Sequence, residues 1–387
     1  MPSRQILIRI ALLWLAGAAL RLTILAVPPV IPLLRDDLGM SATQVGLLSG
    51  LPVVLFAATA VPGSLLIARL GTRATLLGGL LIVALGAALR GAGGTLGALY
   101  AATIVMGAGV AIMQPTIPVL TREWLPSRIG FGTAVYSNGL LAGEVLPVWL
   151  AAPAVMPLVG GSWRLALAIW ALPVLLIALL FLVLAPRSAA AASAARPVWW
   201  PDWRDPLIWR LGILFGSINA TYFATNAFLP AYLSHVGRDD LVHGALTALN
   251  LGQIPVSLLM LVVASRLERR AWPYVAAGLA TLVSVIGLVF MIGVWTIVWA
   301  TLLGCAGAAA LILGLTLPPL LSEHHHTGRT SAAMFTISYA LAMAVALLCG
   351  ALWDHTGIAA MAFLPIGLCG VTLAFSALLL RARRQLF

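Results

Sequence analysis

A chain of 387 residues that is 62% hydrophobic and 9% charged, with a mean hydropathy of +1.07, lies far outside the composition of a soluble globular domain and reads as an all-α membrane protein. The net charge of +11 does not point to nucleic acid, because every basic residue is arginine and nearly all sit in short gaps between apolar runs. Cys305, Cys349 and Cys369 lie inside apolar runs without paired spacing, which fits packing rather than a disulfide or a metal.

In chain order, residues 1–5 precede an apolar run that could pass for a signal peptide. No small-residue cleavage site follows and Arg21 interrupts the run, so a retained first span is expected. At about 20 residues per crossing, twelve transmembrane helices are predicted near 7–32, 45–68, 74–93, 97–120, 130–156, 164–185, 208–234, 242–264, 272–292, 295–320, 329–352 and 357–380. Alternate gaps carry unequal arginine. The side of the N-terminus holds Arg4, Arg9, Arg69, Arg73, Arg122, Arg128, Arg187, Arg196, Arg204, Arg210, Arg266, Arg269, Arg270, Arg329, Arg381, Arg383 and Arg384, and the other side Arg35, Arg90, Arg164 and Arg238. This asymmetry places both termini in the cytoplasm of a bacterial inner membrane and leaves Arg21 as the arginine without a topological reason. The longest interior gap divides the chain into a six-helix bundle at 1–185, a linker at 186–206 and a second six-helix bundle at 207–387. Trp199, Trp200 and Trp203, with the neighbouring arginines, read as an interfacial anchor.

Arg21 carries the main chemical signal. A guanidinium at bilayer depth is costly and needs an acidic partner, a wet cavity or an anionic ligand. Glu144 is the other deep charge, and each lies fourteen residues beyond its predicted helix start, Leu7 or Gly130, so their depths match. Asn219, Tyr222 and Asn226 share one face of the seventh helix, and Asn250 and Gln253 are three apart on the eighth. They offer donors to a bound anion or hold helices together. Tyr136, Asn138, Gln114 and Tyr339 are further polar candidates, for which interhelix bonding is the simpler role. His324, His325 and His326 cannot all face one ion from a regular helix, so no metal is assigned. No phosphate-binding loop, zinc spacing or catalytic carboxylate pair is visible, so neither an enzyme nor a cofactor is expected.

The two halves echo each other. Residues 68–73 follow the second span as residues 265–270 follow the eighth, and residues 118–123 and 318–323 close the fourth and tenth. The segment 69–73 resembles the basic loop of the major facilitator superfamily, with Ala68 and Ser64 departing from its usual form. Leu20-Arg21, Pro118 with Arg122 and Glu123, Tyr136-Ser-Asn, Trp163-Arg164, Ser338-Tyr339 and Trp353 to Gly357 together resemble the cyanate permease and 2-nitroimidazole transporter family within it, although Leu22 stands where that family often has Pro. The resemblance implies a secondary transporter of alternating access with Arg21 as a binding residue. It also implies that the first and fifth helices are neighbours, so Arg21 and Glu144 become a candidate ion pair or proton site. A small anionic or strongly polar solute, cyanate-like or nitroimidazole-like, is expected, with protons as the coupling ion and a monomer in the bilayer. A broad-specificity drug exporter, an uncoupled facilitator or exchanger, and a non-transporting receptor or scaffold are the competing functions.

Overall fold

The computed structural model describes residues 4–40, 42–186 and 199–382. Arg187, Arg196, Arg383 and Arg384 of the arginine count, with most of the predicted linker, lie outside the described residues. Within them every regular element is helical: α1 (Arg4–Leu22), α2 (Ile31–Leu38), α3 (Ala42–Ala92), α4 (Leu96–Trp124), α5 (Ile129–Leu150), α6 (Trp163–Leu184), α7 (Pro206–His235), α8 (Asp239–Leu267), α9 (Trp272–Phe290), α10 (Val294–Leu321), α11 (Thr327–Thr356) and α12 (Ala359–Leu380).

Among the described residues, ten helices are long and apolar enough to cross a membrane. One of them, the Gly50–Ala92 stretch of α3, holds two crossings, because Gly71 at φ 79° and ψ 166° turns the chain where only glycine is unstrained. With α5, whose 22 residues also suffice, the total is the predicted twelve. The predicted fifth span runs to 156, and the structure replaces its end with a π turn at Ala151–Val155.

The expected single helix at 7–32 is corrected: α1 stops at Leu22, and a 3₁₀ turn at Pro28–Val30 leads into α2. Proline is the cause. Pro28 and Pro29 have no N–H to give to the carbonyls four residues back. The Val27 N–H bonds the Ile24 carbonyl at 3.3 Å instead of continuing the α pattern to Thr23.

The contacts group into two compact units. The first comprises Met1–Ser127, Val135–Pro201 and His324–Ala332, and the second comprises Arg128–Ala134, Asp202–Glu323 and Ala333–Phe387. In the first, Arg122 Nη1 donates to Thr327 Oγ1 at 2.9 Å, and Thr72 Oγ1 donates to the Glu123 carboxylate at 3.0 Å. Ser64 Oγ donates to the Trp199 carbonyl at 2.7 Å, which fastens one of the predicted anchor tryptophans. In the second, the basic segment after α8 meets the first turn of α5. Ser265 Oγ accepts from the Phe131 N–H at 3.1 Å, and the Glu268 carboxylate presses so closely on Gly130 that a Cβ there would overlap Oε2.

Burial raises the Glu268 carboxyl above the ordinary carboxylate range, against the opposing pull of the Gly130 N–H. A folded-state pKa above the unfolded one contributes stability below the unfolded value and loses it as pH rises through the folded value. The difference in unfolding midpoint between the wild type and Glu268→Gln, measured in detergent, is therefore expected to grow in favour of the glutamine as pH rises from 4 to 8. A difference that does not vary with pH would contradict it.

Candidate functional site

Glycine sets the register of α1 on α5. A Cβ at Gly17 would overlap the Tyr136 carbonyl, one at Gly139 the Trp14 carbonyl, and one at Gly143 the Ala18 carbonyl. Three missing side chains thus let two backbones touch, the small-xxx-small arrangement of membrane helix pairs. Trp14 Nε1 donates to Asn138 Oδ1 at 2.8 Å across the same seam.

At the end of this seam the register delivers the two deep charges to each other. Arg21 Nε lies 3.2 Å from Glu144 Oε1, with 13% and 17% of the side chains exposed. The guanidinium also sits over the Phe56 ring of α3, 5.6 Å from its centroid, where the ring face attracts a cation. Arg21 stands in the last turn of α1, and its carbonyl accepts from the N–H groups of Ile24 and Leu25, both at 3.0 Å. The end of a helix carries partial negative charge that favours a cation. Carboxylate, ring face and helix end together offset the cost of holding Arg21 at this depth. The pair is partly exposed, so an anion that offers the guanidinium two oxygens has a physical basis for competing with Glu144.

Of the other candidates in this unit, Tyr136 is buried and gives its backbone, rather than an exposed ring, to the seam with Gly17. Gln114 of α4 is buried, and its Oε1 has no hydrogen-bond partner among the described residues. An unmatched buried amide oxygen costs free energy until a donor arrives.

The second unit gathers a network. Tyr222 Oη donates to Asn250 Oδ1 at 2.8 Å, Asn250 Nδ2 donates to Asn226 Oδ1 at 3.0 Å, and Asn226 Nδ2 donates to the Tyr222 carbonyl at 2.9 Å. Asn219 does not join it, but donates to Ser338 Oγ of α11 at 2.8 Å. Tyr339, next to Ser338, is buried and stacks on Phe335, with centroids 6.2 Å apart. A turn at Gly252, helical in φ and ψ, separates Gln253 from Asn250 within α8. The Gln253 Nε2 is buried and has no hydrogen-bond partner among the described residues. Cys305 Sγ donates to the Gly252 carbonyl at 3.2 Å, a packing role for that thiol.

The histidine run forms a single 3₁₀ turn at His324–His326, and Glu323, His325 and His326 bring ligand atoms within 4.8 Å of one another. The run thus groups two imidazoles with a carboxylate, as a regular helix would not.

Sequence reasoning missed four participants. Phe56 carried no signal among so many apolar residues. The Gly139 and Gly143 spacing was readable as a close-packing seam. Arg90, assigned to a loop on the opposite side, is 1% exposed, and this corrects the idea that Arg21 alone lacks a topological reason. The signal was available, because the predicted third span, 74–93, already enclosed it.

Comparison with known proteins follows the same lines. The family description "Major Facilitator Superfamily" matches residues 13–346. The chain is 30% identical to the cyanate transport protein of Escherichia coli (strain K12) over 310 residues, 78% of this chain and 79% of that protein. It is 26% identical to the 2-nitroimidazole transporter of the same organism over 361 residues, covering 92% and 91%. Among solved structures, the human organic anion transporter MFSD10 aligns with a TM-score of 0.76 at 16% identity over 97% of this chain and 100% of that one. A proton:xylose symporter aligns at 0.76 with 12% identity, over 99% and 96%. These two likenesses concern the fold.

Proposed function

The chain belongs to the major facilitator superfamily, and from that premise we propose that it is a secondary transporter in which Arg21 binds a small anionic or strongly polar solute in competition with Glu144. The observation that carries this is the Arg21–Glu144 pair, 3.2 Å apart at a break in α1. The helix end would help to hold a purely structural pair as well, but binding sites of such transporters are typically built at discontinuous helices, and that favours a binding role. The cyanate relative suggests a linear or planar monoanion, and the nitroimidazole relative suggests that a nitro group serves as well, since it also presents two oxygens to a guanidinium.

The remaining roles fit this scheme. Residues 1–185 and 207–387 act as two six-helix bundles joined by 186–206 and exchange access to the solute in turn. Asn219, Tyr222, Asn226, Asn250, Gln253, Tyr339 and Tyr136 supply polar contacts. The solute takes Arg21, and Glu144, released, accepts the coupling proton. The protein works as a monomer in a bacterial inner membrane with both termini cytoplasmic, as the arginine asymmetry favours. Transport, not catalysis, is its activity.

The test is a thermal-shift titration of purified protein with cyanate, nitrite, thiocyanate and 2-nitroimidazole, followed by flux in proteoliposomes. At a hundred times its Kd, a ligand that binds only the folded state adds about 2.7 kcal/mol of apparent stability. At least one of the four is expected to raise the midpoint saturably and to accumulate when a pH gradient is imposed. If none does either, the proposal is wrong. Glu144→Gln is expected to retain exchange and lose accumulation driven by the pH gradient; undiminished accumulation would exclude Glu144 as the proton carrier.

A further inference from the structure

Arg90 is the largest fully buried side chain described in the protein, and no carboxylate lies within ion-pair distance of it among the described residues. A buried charge without a counter-ion is strongly unfavourable unless its hydrogen bonds are good. Arg90 spends them on one place. Its Nη1 donates to the Thr23 carbonyl at 2.7 Å and its Nε to Thr103 Oγ1 at 3.1 Å, while Thr103 Oγ1 donates to the Leu99 carbonyl at 2.8 Å. From the opposite direction Thr23 Oγ1 donates to Met106 Sδ at 3.0 Å.

The broken helix leaves the Thr23 carbonyl without its helical donor. In a continuous helix the Val27 N–H would fill it, but that donor goes to Ile24. Thr23 is also two residues beyond Arg21. The end of α3, through Arg90, and the middle of α4, through Thr103 and Met106, therefore grip the chain immediately after the residue that holds the solute. We propose that Arg90 is a positioning residue for the Arg21 site: its guanidinium, clamped between Thr23 and Thr103, anchors the chain just after the proline-induced end of α1 and hence sets where Arg21 projects. An apolar residue would fill the same volume without the desolvation cost, and a neutral amide lacks the reach and the fork of donors that spans both partners. Supplying positive charge with no acid to neutralise it also favours an anion over a cation in the same low-dielectric region.

This inference rests on the anion-binding role of Arg21, and the experiment separates the two. Cyanate, nitrite and thiocyanate are titrated into detergent-purified wild type, Arg90→Met, Arg90→Lys and Thr103→Val, with Kd and the ligand-free unfolding midpoint both recorded. Arg90→Met is expected to weaken binding at least tenfold. Arg90→Lys, which keeps the charge and reaches one of the two partners, is expected to recover part of that loss. Thr103→Val, which removes the Nε partner and conserves volume, is expected to weaken binding about threefold even if Arg90→Met does not fold. A wild type blind to all three anions overturns the anion reading and this inference with it. A wild type that binds while Thr103→Val and every folded Arg90 variant bind equally well overturns the inference alone.

Discussion

Arg21→Lys is expected to reduce anion affinity by roughly a hundredfold, because truncating one partner of a desolvated charge pair typically costs about 3 kcal/mol and each 1.4 kcal/mol is tenfold. Lysine preserves the charge but offers a point ammonium in place of a planar fork, so two-point contact with a planar or linear anion is lost. Arg21→Met is expected to do more. It removes the proposed anchor and leaves Glu144 without the 3.2 Å partner it has in the structure, so the ligand-free protein should also unfold at lower temperature. Stability and binding then part company in the double variant Arg21→Met/Glu144→Gln. Removing both charges together is expected to restore the midpoint close to wild type, since a buried pair often contributes little net stability, while binding stays lost. Titration of cyanate and nitrite against the three variants checks this. Wild-type affinity in Arg21→Lys would refute Arg21 as the anchor.

The second large effect lies in the seam that aligns the pair. At Gly143 a single added methyl meets the Ala18 backbone, and at Gly139 the Trp14 backbone. Backbone cannot rotate aside as a side chain can, so the helices must separate. Inserting methyl groups into a close-packed interior typically costs about 1–3 kcal/mol, and an obstacle made of backbone belongs at the upper end. Gly143→Ala is therefore expected to lower the unfolding midpoint by several degrees and to weaken anion binding as well, because Glu144 is the next residue. Gly78→Ala is the control, with no atom within 4 Å of the added Cβ. In a helix interior, alanine at such a site gains about 1 kcal/mol over glycine, so the control should be neutral or stabilised. Equal behaviour of the two variants in thermal unfolding would contradict the close-packing account.

Much of the architecture was written in hydropathy. A bilayer admits few spanning structures, so runs of about 20 apolar residues translate almost directly into crossings. Spans seven to twelve fell where expected to within a few residues. The errors share a cause. The helix predicted across 7–32 was read from apolarity, to which the break at Thr23 is invisible. Only the prolines at 28 and 29 hinted at it, and proline is tolerated inside other helices of this protein, as at Pro52 and Pro118.

The sequence by itself determined that this is a helical membrane protein, that Arg21 and Glu144 lie at matched depth, and that polar side chains recur along the seventh and eighth spans. Those properties depend on periodicity and on the cost of charge in hydrocarbon, both local to a segment. Only the tertiary structure decided that α1 ends beside Arg21, that glycines on α5 bring Glu144 to it, that Asn219 turns to Ser338 and away from Tyr222, and that Arg90 is drawn inward to the Thr23 carbonyl. Apart from the end of α1, each of these joins residues far apart in the chain through a contact of one or two atoms. No windowed property of a sequence carries that information, because it arises only when backbones approach closely enough for a carbonyl, a methyl or a guanidinium to find its partner.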